Sequence, residues 1–257
     1  MKKIMMTVLA ISLLSSLSWT QEETGMPPIP PKRSKAAKVG AFGGFMPGWL
    51  FVDTAPINSF LQAAGGAPLN DDGVLMVGGG GAAYIMLVPN LRIGGMGMGG
   101  DISSTSLNTD GVRRDAELSV GFGGVTIEYV FPVLERFDIA VGGMLGGGGI
   151  DITLRQDAGG NKTWNQEWGN FGTGNYQIGG QINNITRKLS GSYFVWIPSV
   201  NFEYAVIGWG GVRLGMSFVG MSSPSWKLDD KYDLLGVPGN INGEGWMINA
   251  GIFVGTF

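Results

Sequence analysis

Glu128 and Glu203 occupy the same place in two copies of one pattern, Val125-Thr-Ile-Glu-Tyr-Val-Phe131 and Val200-Asn-Phe-Glu-Tyr-Ala-Val206. Alternation along an extended chain puts both carboxylates on the face opposite Val125/Ile127 and Phe202/Tyr204. In neighbouring apolar stretches Arg92, Asp138 and Arg213 fall on the phase opposite Leu91/Ile93, Phe137/Ile139 and Val212/Leu214. Five charges on one face at one depth predict an enclosed ionic cluster of Glu128, Glu203, Arg92, Arg213 and Asp138. A charge shut into a confined space is costly unless paired, and a guanidinium suits a carboxylate geometrically. That chemistry is structural pairing, and little else in the chain suggests turnover. With no His and no Cys, the chain has no imidazole base, no Ser-His-Asp triad, no thiol nucleophile and no zinc site of the Cys/His type. Asp71-Asp72 and Asp229-Asp230 read as solvated loop charges. Asp71, Asp72 and Asp101 lack EF-hand spacing. The expectation is no enzyme, no cofactor and no metal.

Two sets of aromatic residues stand out. Tyr84, Tyr129, Tyr204 and Phe257 lie near one end of their apolar stretches and Trp209 in a short turn, heights that suit a membrane-interface belt. Trp164, Trp168, Phe171 and Tyr176 lie in a polar segment rich in Asn, Gln and Gly. They are candidates for loop binding of a ligand or cell surface; packing of the loop onto its own support is the other reading.

The elements that position these residues are strands. Glycine accounts for 46 of the 257 residues, more than twice the ordinary ~7%. Gly78–Gly81, Gly94–Gly100 and Gly142–Gly149 lack a phosphate loop's Gly-Lys-Ser/Thr ending and read as strand glycine. Charged residues make up 14% and the net charge is −3, which gives no electrostatic case for nucleic acid. In Ala116–Phe131 the apolar set runs Leu118, Val120, Phe122, then slips by one to Val125, Ile127, Tyr129, Phe131. The slip at Gly123-Gly124 predicts a β-bulge. Tyr193–Val206 slips at Pro198-Ser199, Leu75–Val88 between Gly79 and Ala82, and Trp246–Phe257 between Ala250 and Phe253. Short turns join three of these stretches to further strands. Longer polar connections cover Asp53–Gly73, Asp157–Arg187 and Asp229–Glu244, with a tighter one at Thr109–Asp115. With an opening strand, Val39 to Val52, the count is eight, in up-and-down order.

Ahead of them, residues 1–18 read as an export signal: Lys2 and Lys3, an apolar run from Ile4 to Leu17, and small residues before Trp19. Residues 19–38 read as a Pro/Lys-rich periplasmic tether carrying Pro27, Pro28, Pro30 and Pro31. Residues 39–257 form the barrel.

Export signal, eight amphipathic strands and the terminal Phe257 together resemble the small eight-stranded outer-membrane β-barrels, the type of the OmpA membrane domain and of OmpX. The resemblance implies an all-β, antiparallel, closed transmembrane barrel in the outer membrane of a Gram-negative-type bacterium. Its partners would be outer-membrane lipid and the barrel-assembly machinery, engaged through the C-terminal strand. It implies a non-enzymatic role, structural, adhesive or ligand-binding through external loops, for an unknown extracellular ligand. A lumen given room by Gly121, Gly123, Ala140, Gly142 and Gly215 adds a narrow small-solute passage to the expectations. The competing reading is a soluble exported barrel carrying a small apolar ligand. Facing separates the two, because a membrane barrel puts Leu118, Val120, Phe122 and Leu214 toward lipid.

Overall fold

A computed structural model describes residues 40–107, 111–157, 159, 163–165, 168, 177–178, 181–182 and 184–255. The proposed signal, the tether, Phe171, Tyr176 and Phe257 lie outside the described residues. The opening strand is broken by Pro47, which has no N–H to give, into β1 (Ala41–Phe45) and β2 (Gly48–Val52). There follow helix α1 (Ala55–Ala63), β3 (Val74–Tyr84), β4 (Leu91–Leu107), β5 (Arg113–Pro132) and β6 (Phe137–Asp157). A two-residue pairing of β7 (Gln177–Ile178) with β8 (Gln181–Ile182) precedes β9 (Asn184–Ile207) and β10 (Gly210–Met221). The short β11 (Ser225–Leu228) and β12 (Tyr232–Asp233) extend the sheet beyond β10, and β13 (Gly245–Gly255) ends the described chain.

Each long strand pairs antiparallel with its neighbours, and β13 closes the ring on both halves of the opening strand and on β10. The result is an eight-stranded up-and-down barrel closed by pairing of its last strand with its first, the form a sheet needs in lipid. Short turns at one end join β3 to β4, β5 to β6 and β9 to β10; α1 and the β11–β12 hairpin belong to the other, long-loop end. β4, β5, β6 and β9 run to 17, 20, 21 and 24 residues, well past the ~9–11 that cross a bilayer.

The exterior carries an apolar belt. Val125, Ile127, Leu214, Met216, Phe202 and Ile248 all face outward and are exposed. Along β9 the outward rings of Trp196 and Tyr204 lie eight residues apart, about 26 Å at ~3.3 Å per residue, comparable with the ~25 Å apolar band of outer-membrane barrels. Trp196, Phe218 and Trp246 meet at tilted and edge-to-face angles around the upper edge, with centroids 5.9 and 5.4 Å apart. Beyond it the outward positions turn polar: Asp101 and Ser103 on β4, Asp115 and Glu117 on β5, Asp151 and Arg155 on β6. On the β4–β6 side the upper belt is bare glycine, Gly97, Gly123 and Gly147 sharing one row. A closed barrel with such an exterior crosses a membrane through its strands, and its polar strand ends rise above the lipid on the long-loop side. A soluble carrier would need a polar exterior all round.

The expected facing is half right, and the correction is physical. Registers through Gly123-Gly124 on β5 and Pro198-Ser199 on β9 are continuous, with no bulge. The shift in the described ladders falls at Gly210/Gly211 instead. What changes at the glycines is which face is apolar. Leu118, Val120 and Phe122 point into the barrel and are buried, as are Tyr193, Val195 and Ile197, while Val125, Ile127 and Tyr129 point out. Gly124 and Gly146 face each other across β5 and β6, where a Cβ on either would meet the other strand's backbone. Gly121 and Gly123, expected to widen the lumen, lie on the outside. On β3 and β13 the switch runs the other way: Leu75, Val77, Trp246 and Ile248 are outside, Ala82 and Phe253 inside.

Candidate functional site

The lumen is filled in two layers. Toward the long loops, Leu50, Val74, Met76, Leu118, Val120, Met144, Ile150, Val195, Ile197, Val219 and Met247 are almost wholly buried and pack as one apolar plug. They come from seven strands, so burial of this interior is itself a tie across the ring. The polar lumen expected from the sequence is thus confined to the other half.

Toward the short turns the second layer is ionic. Arg92 lies opposite Glu128 in the β4–β5 ladder, and Glu203 opposite both Arg213 and Asp138. Arg92 Nε donates to Glu128 Oε2 at 2.7 Å, and Arg92 Nη1 and Nη2 donate to Glu203 Oε2 and Oε1 at 2.9 and 2.5 Å. Arg213 Nη2 donates to Glu128 Oε1, and its Nη1 lies 3.1 Å from Glu203 Oε1. Asn201 Nδ2 adds a hydrogen bond of 3.0 Å to Glu128 Oε1. Two guanidiniums and two carboxylates thus close a neutral square, all four side chains below 10% exposure. Gly142 lies directly opposite Glu128, where a Cβ would meet the backbone of Ile127 and Glu128, so these strands approach closely beside the square. The Phe42 ring, 4.7 Å from the Arg92 guanidinium carbon, covers the square on one side. Asp138 faces the lumen beside Glu203, half-buried, at the rim nearest the turns.

A void of about 30 Å³ lies against this layer, lined in part by Thr126, Ser199, Asn201, Ser217 and Asn249. Buried Ser217 Oγ, Asn249 Oδ1 and Arg213 Nε have no hydrogen-bond partner among the described residues. The space is the size of one water, which would serve such groups.

Of the aromatics expected at the membrane interface, Tyr129 and Tyr204 face outward at the turn end and Trp209 is exposed in its turn. Tyr84 does not belong with them. It pairs in register with Arg92 and points into the lumen, because the β3 alternation runs unbroken from Val74 and Met76. In the long loop Trp164 and Trp168 meet edge to face, centroids 5.6 Å apart, and both rings are exposed.

The feature the sequence did not disclose lies at the long-loop mouth. A largely apolar cavity of about 550 Å³ sits above the plug, between the upper ends of β4, β5, β6 and β9 on one side and α1 with residues 234–241 on the other. Ile57 and Leu61, the buried residues of α1, form part of its wall. Asn58 fixes the helix to the loop after it, accepting from Leu69 N at 2.7 Å and donating to Leu69 O at 3.0 Å. Ser104 Oγ donates to Ala67 O at 2.8 Å, tying that loop to β4. Opposite, Asp229 accepts from Arg187 Nη1 at 2.9 Å and from Lys188 N at 3.0 Å, and Asp230 accepts from Ser190 Oγ at 2.6 Å. The Lys188 backbone N–H and the Arg187 guanidinium hold the Asp229 carboxyl below the usual carboxylate range; the Ser190 hydroxyl and Lys188 do the same for Asp230.

No family model and no curated protein sequence matches the chain. Among solved structures it is similar to the attachment invasion locus protein Ail of Yersinia pestis, at 10% identity and a TM-score of 0.35 over 84% of this chain and 99% of that one. It is similar to CarO of Acinetobacter baumannii at 13% identity and a TM-score of 0.38, over 84% and 97% of the two chains. With a major outer membrane protein from Thermus thermophilus the identity is 8% and the TM-score 0.39, over 84% and 98%. What this chain's own geometry establishes is a closed eight-stranded barrel, with an apolar belt outside and two packed layers of side chains inside, that resembles small outer-membrane barrels in architecture.

Proposed function

We propose that the protein is a non-conducting outer-membrane barrel that acts by binding at its external mouth, with no catalytic step of its own. The observation that carries this reading is the two-layer seal, apolar plug over neutral ionic square, beneath a mouth cavity held open by hydrogen bonds. An eight-stranded barrel has an interior that side chains can fill, and this one is filled where a passage would have to run. Long loops on the cavity side and short turns on the other match the outward and periplasmic ends of outer-membrane barrels. Binding is therefore from outside the cell. Phe257 and the alternating apolar residues before it serve as the strand the assembly machinery reads, after export directed by residues 1–18.

Full-length protein in a planar bilayer tests the seal. The expected result is no conductance above the bare membrane. Stable unitary currents would overturn the reading. Fractionation tests the location: release from membranes by detergent but not by high salt is expected, and a soluble periplasmic pool would count against it.

A further inference from the structure

We infer that the mouth cavity is a site for one single-chain amphiphile with an anionic head, an inference that rests on the external-binding reading above. The walls are hydrocarbon: Ile57, Leu61, Ile152, Leu154, Leu189 and Val237 all contribute. Its volume of about 550 Å³ lies inside the ~300–1,000 Å³ range of small-molecule sites, which are mostly apolar with a few polar groups that fix orientation. At its lower end the cavity is bordered by buried Ala116 and Ile152, and the next inward residues on those strands, Leu118 and Ile150, are fully buried in the plug, so a chain enters from outside and stops there.

The polar groups are of one dominant sign. Arg114, Arg155 and Arg187 line the cavity, against Asp115 as the one lining carboxylate. Asp115 already accepts from Thr105 Oγ1 at 2.7 Å and Arg113 Nε at 2.9 Å. Arg114 and Arg187 stand on the lumen-facing row of their strands, in register with Gln156 and Leu154, whereas Arg155 stands on the outward row and borders the cavity only at its edge. The Arg155 and Arg187 side chains are 52% and 57% exposed, with donors to spare beyond their contacts to Glu117 and Asp229. A guanidinium presents five N–H donors, so each can keep its carboxylate and still take an anionic head. An apolar chain with a carboxylate or sulfate at one end satisfies both parts of the site. A cationic head meets the guanidiniums of Arg114 and Arg187, and a two-chain lipid exceeds the space. The frame does not need the ligand to exist, because Asn58, Ser104, Asp229 and Asp230 hold its walls apart.

The test uses the full chain in amphipol, titrated with radiolabelled dodecanoate and read as saturable binding above empty amphipol. One site per barrel is expected, with dodecylammonium and added phosphatidylglycerol failing to compete. Leu189→Trp and Ile241→Trp each place an indole in the cavity and are expected to weaken binding by roughly tenfold or more. The pair Arg114→Gln and Arg187→Gln is expected to weaken dodecanoate by about tenfold while leaving dodecanol unchanged. Two filling variants and the rim pair guard against a single misfolded protein, and resistance of the folded band to unheated SDS checks each. Absence of a saturable site, equal binding by both filling variants, or competition by phosphatidylglycerol would overturn the assignment. The same preparation measured in a planar bilayer separates the two failures: a silent barrel without binding rejects the ligand class alone, and a conducting one rejects the sealed-barrel reading beneath it.

Discussion

Arg92 is the most consequential single side chain in the lower lumen. It is 2% exposed and donates to both carboxylates of the square. Arg92→Met leaves two carboxylates facing Arg213 alone, and removal of one partner from a buried ion pair costs ~3–5 kcal/mol. Unfolding of the detergent-solubilised barrel is expected to register a loss of that order. A double-mutant cycle with Glu203→Gln and Arg213→Met is expected to show coupling of at least ~0.5 kcal/mol; additive losses would mean the two act independently. Facing is tested at the same scale. Leu214 is outward in the belt, and Leu214→Arg is expected to cost ~2–4 kcal/mol. Val120 is 2% exposed within the plug, so Val120→Arg buries an unpaired charge and is expected to block folding. A Val120→Arg barrel as stable as Leu214→Arg would contradict the corrected facing.

At the scale of elements, the hairpin of β11 and β12 is attached to β9 by backbone pairing and by Asp229 and Asp230. Both carboxyls have folded-state pKa values below the ordinary one, so the clip is complete at neutral pH and above the unfolded carboxylate range. It weakens as pH falls through the lowered values, when the folded state must take up protons it binds poorly. Both groups lie at the surface, so the effect is local to the hairpin. Hydrogen exchange at Lys188 and Trp226 is expected to speed up in acid relative to the β4–β6 ladder, and Asp229→Asn with Asp230→Asn is expected to abolish that difference. Equal pH response in the variant would show that the clip is not carried by these carboxylates. α1 depends less on charge: Asn58→Ala removes three side-chain hydrogen bonds and is expected to loosen the cavity wall while leaving the barrel intact.

Across the whole molecule, two apolar surfaces of opposite direction share one sheet. Toward the turns the apolar side chains face lipid and the interior is ionic; toward the loops the interior is apolar, as in a soluble protein, and the outward strand ends are charged. On β5 this is visible in order, with Glu117 out, Leu118 in, Ile127 out and Glu128 in. The long strands allow it, because only part of their length is needed to cross the bilayer. Deleting Phe257 is expected to leave exported protein unassembled and degraded. Normal assembly of that variant would remove the terminal strand from the proposed signal.

The eight strands, their order, the short and long connections and the shared inward face of Arg92, Glu128, Glu203 and Arg213 were legible in the sequence. Each follows from local rules, alternation along an extended chain and turn residues between runs. Alternation names two faces but does not say which is inside. Leu118 and Ile127 are equally apolar, and only closure of the ring, which enclosed one and exposed the other, assigned them to plug and belt. The same limit misplaced Tyr84, whose side is set by the register of β3 against Arg92. The mouth cavity was hidden for a related reason. Its walls come from α1, four strand ends and residues 234–241, segments far apart in the chain that only the closed barrel brings together.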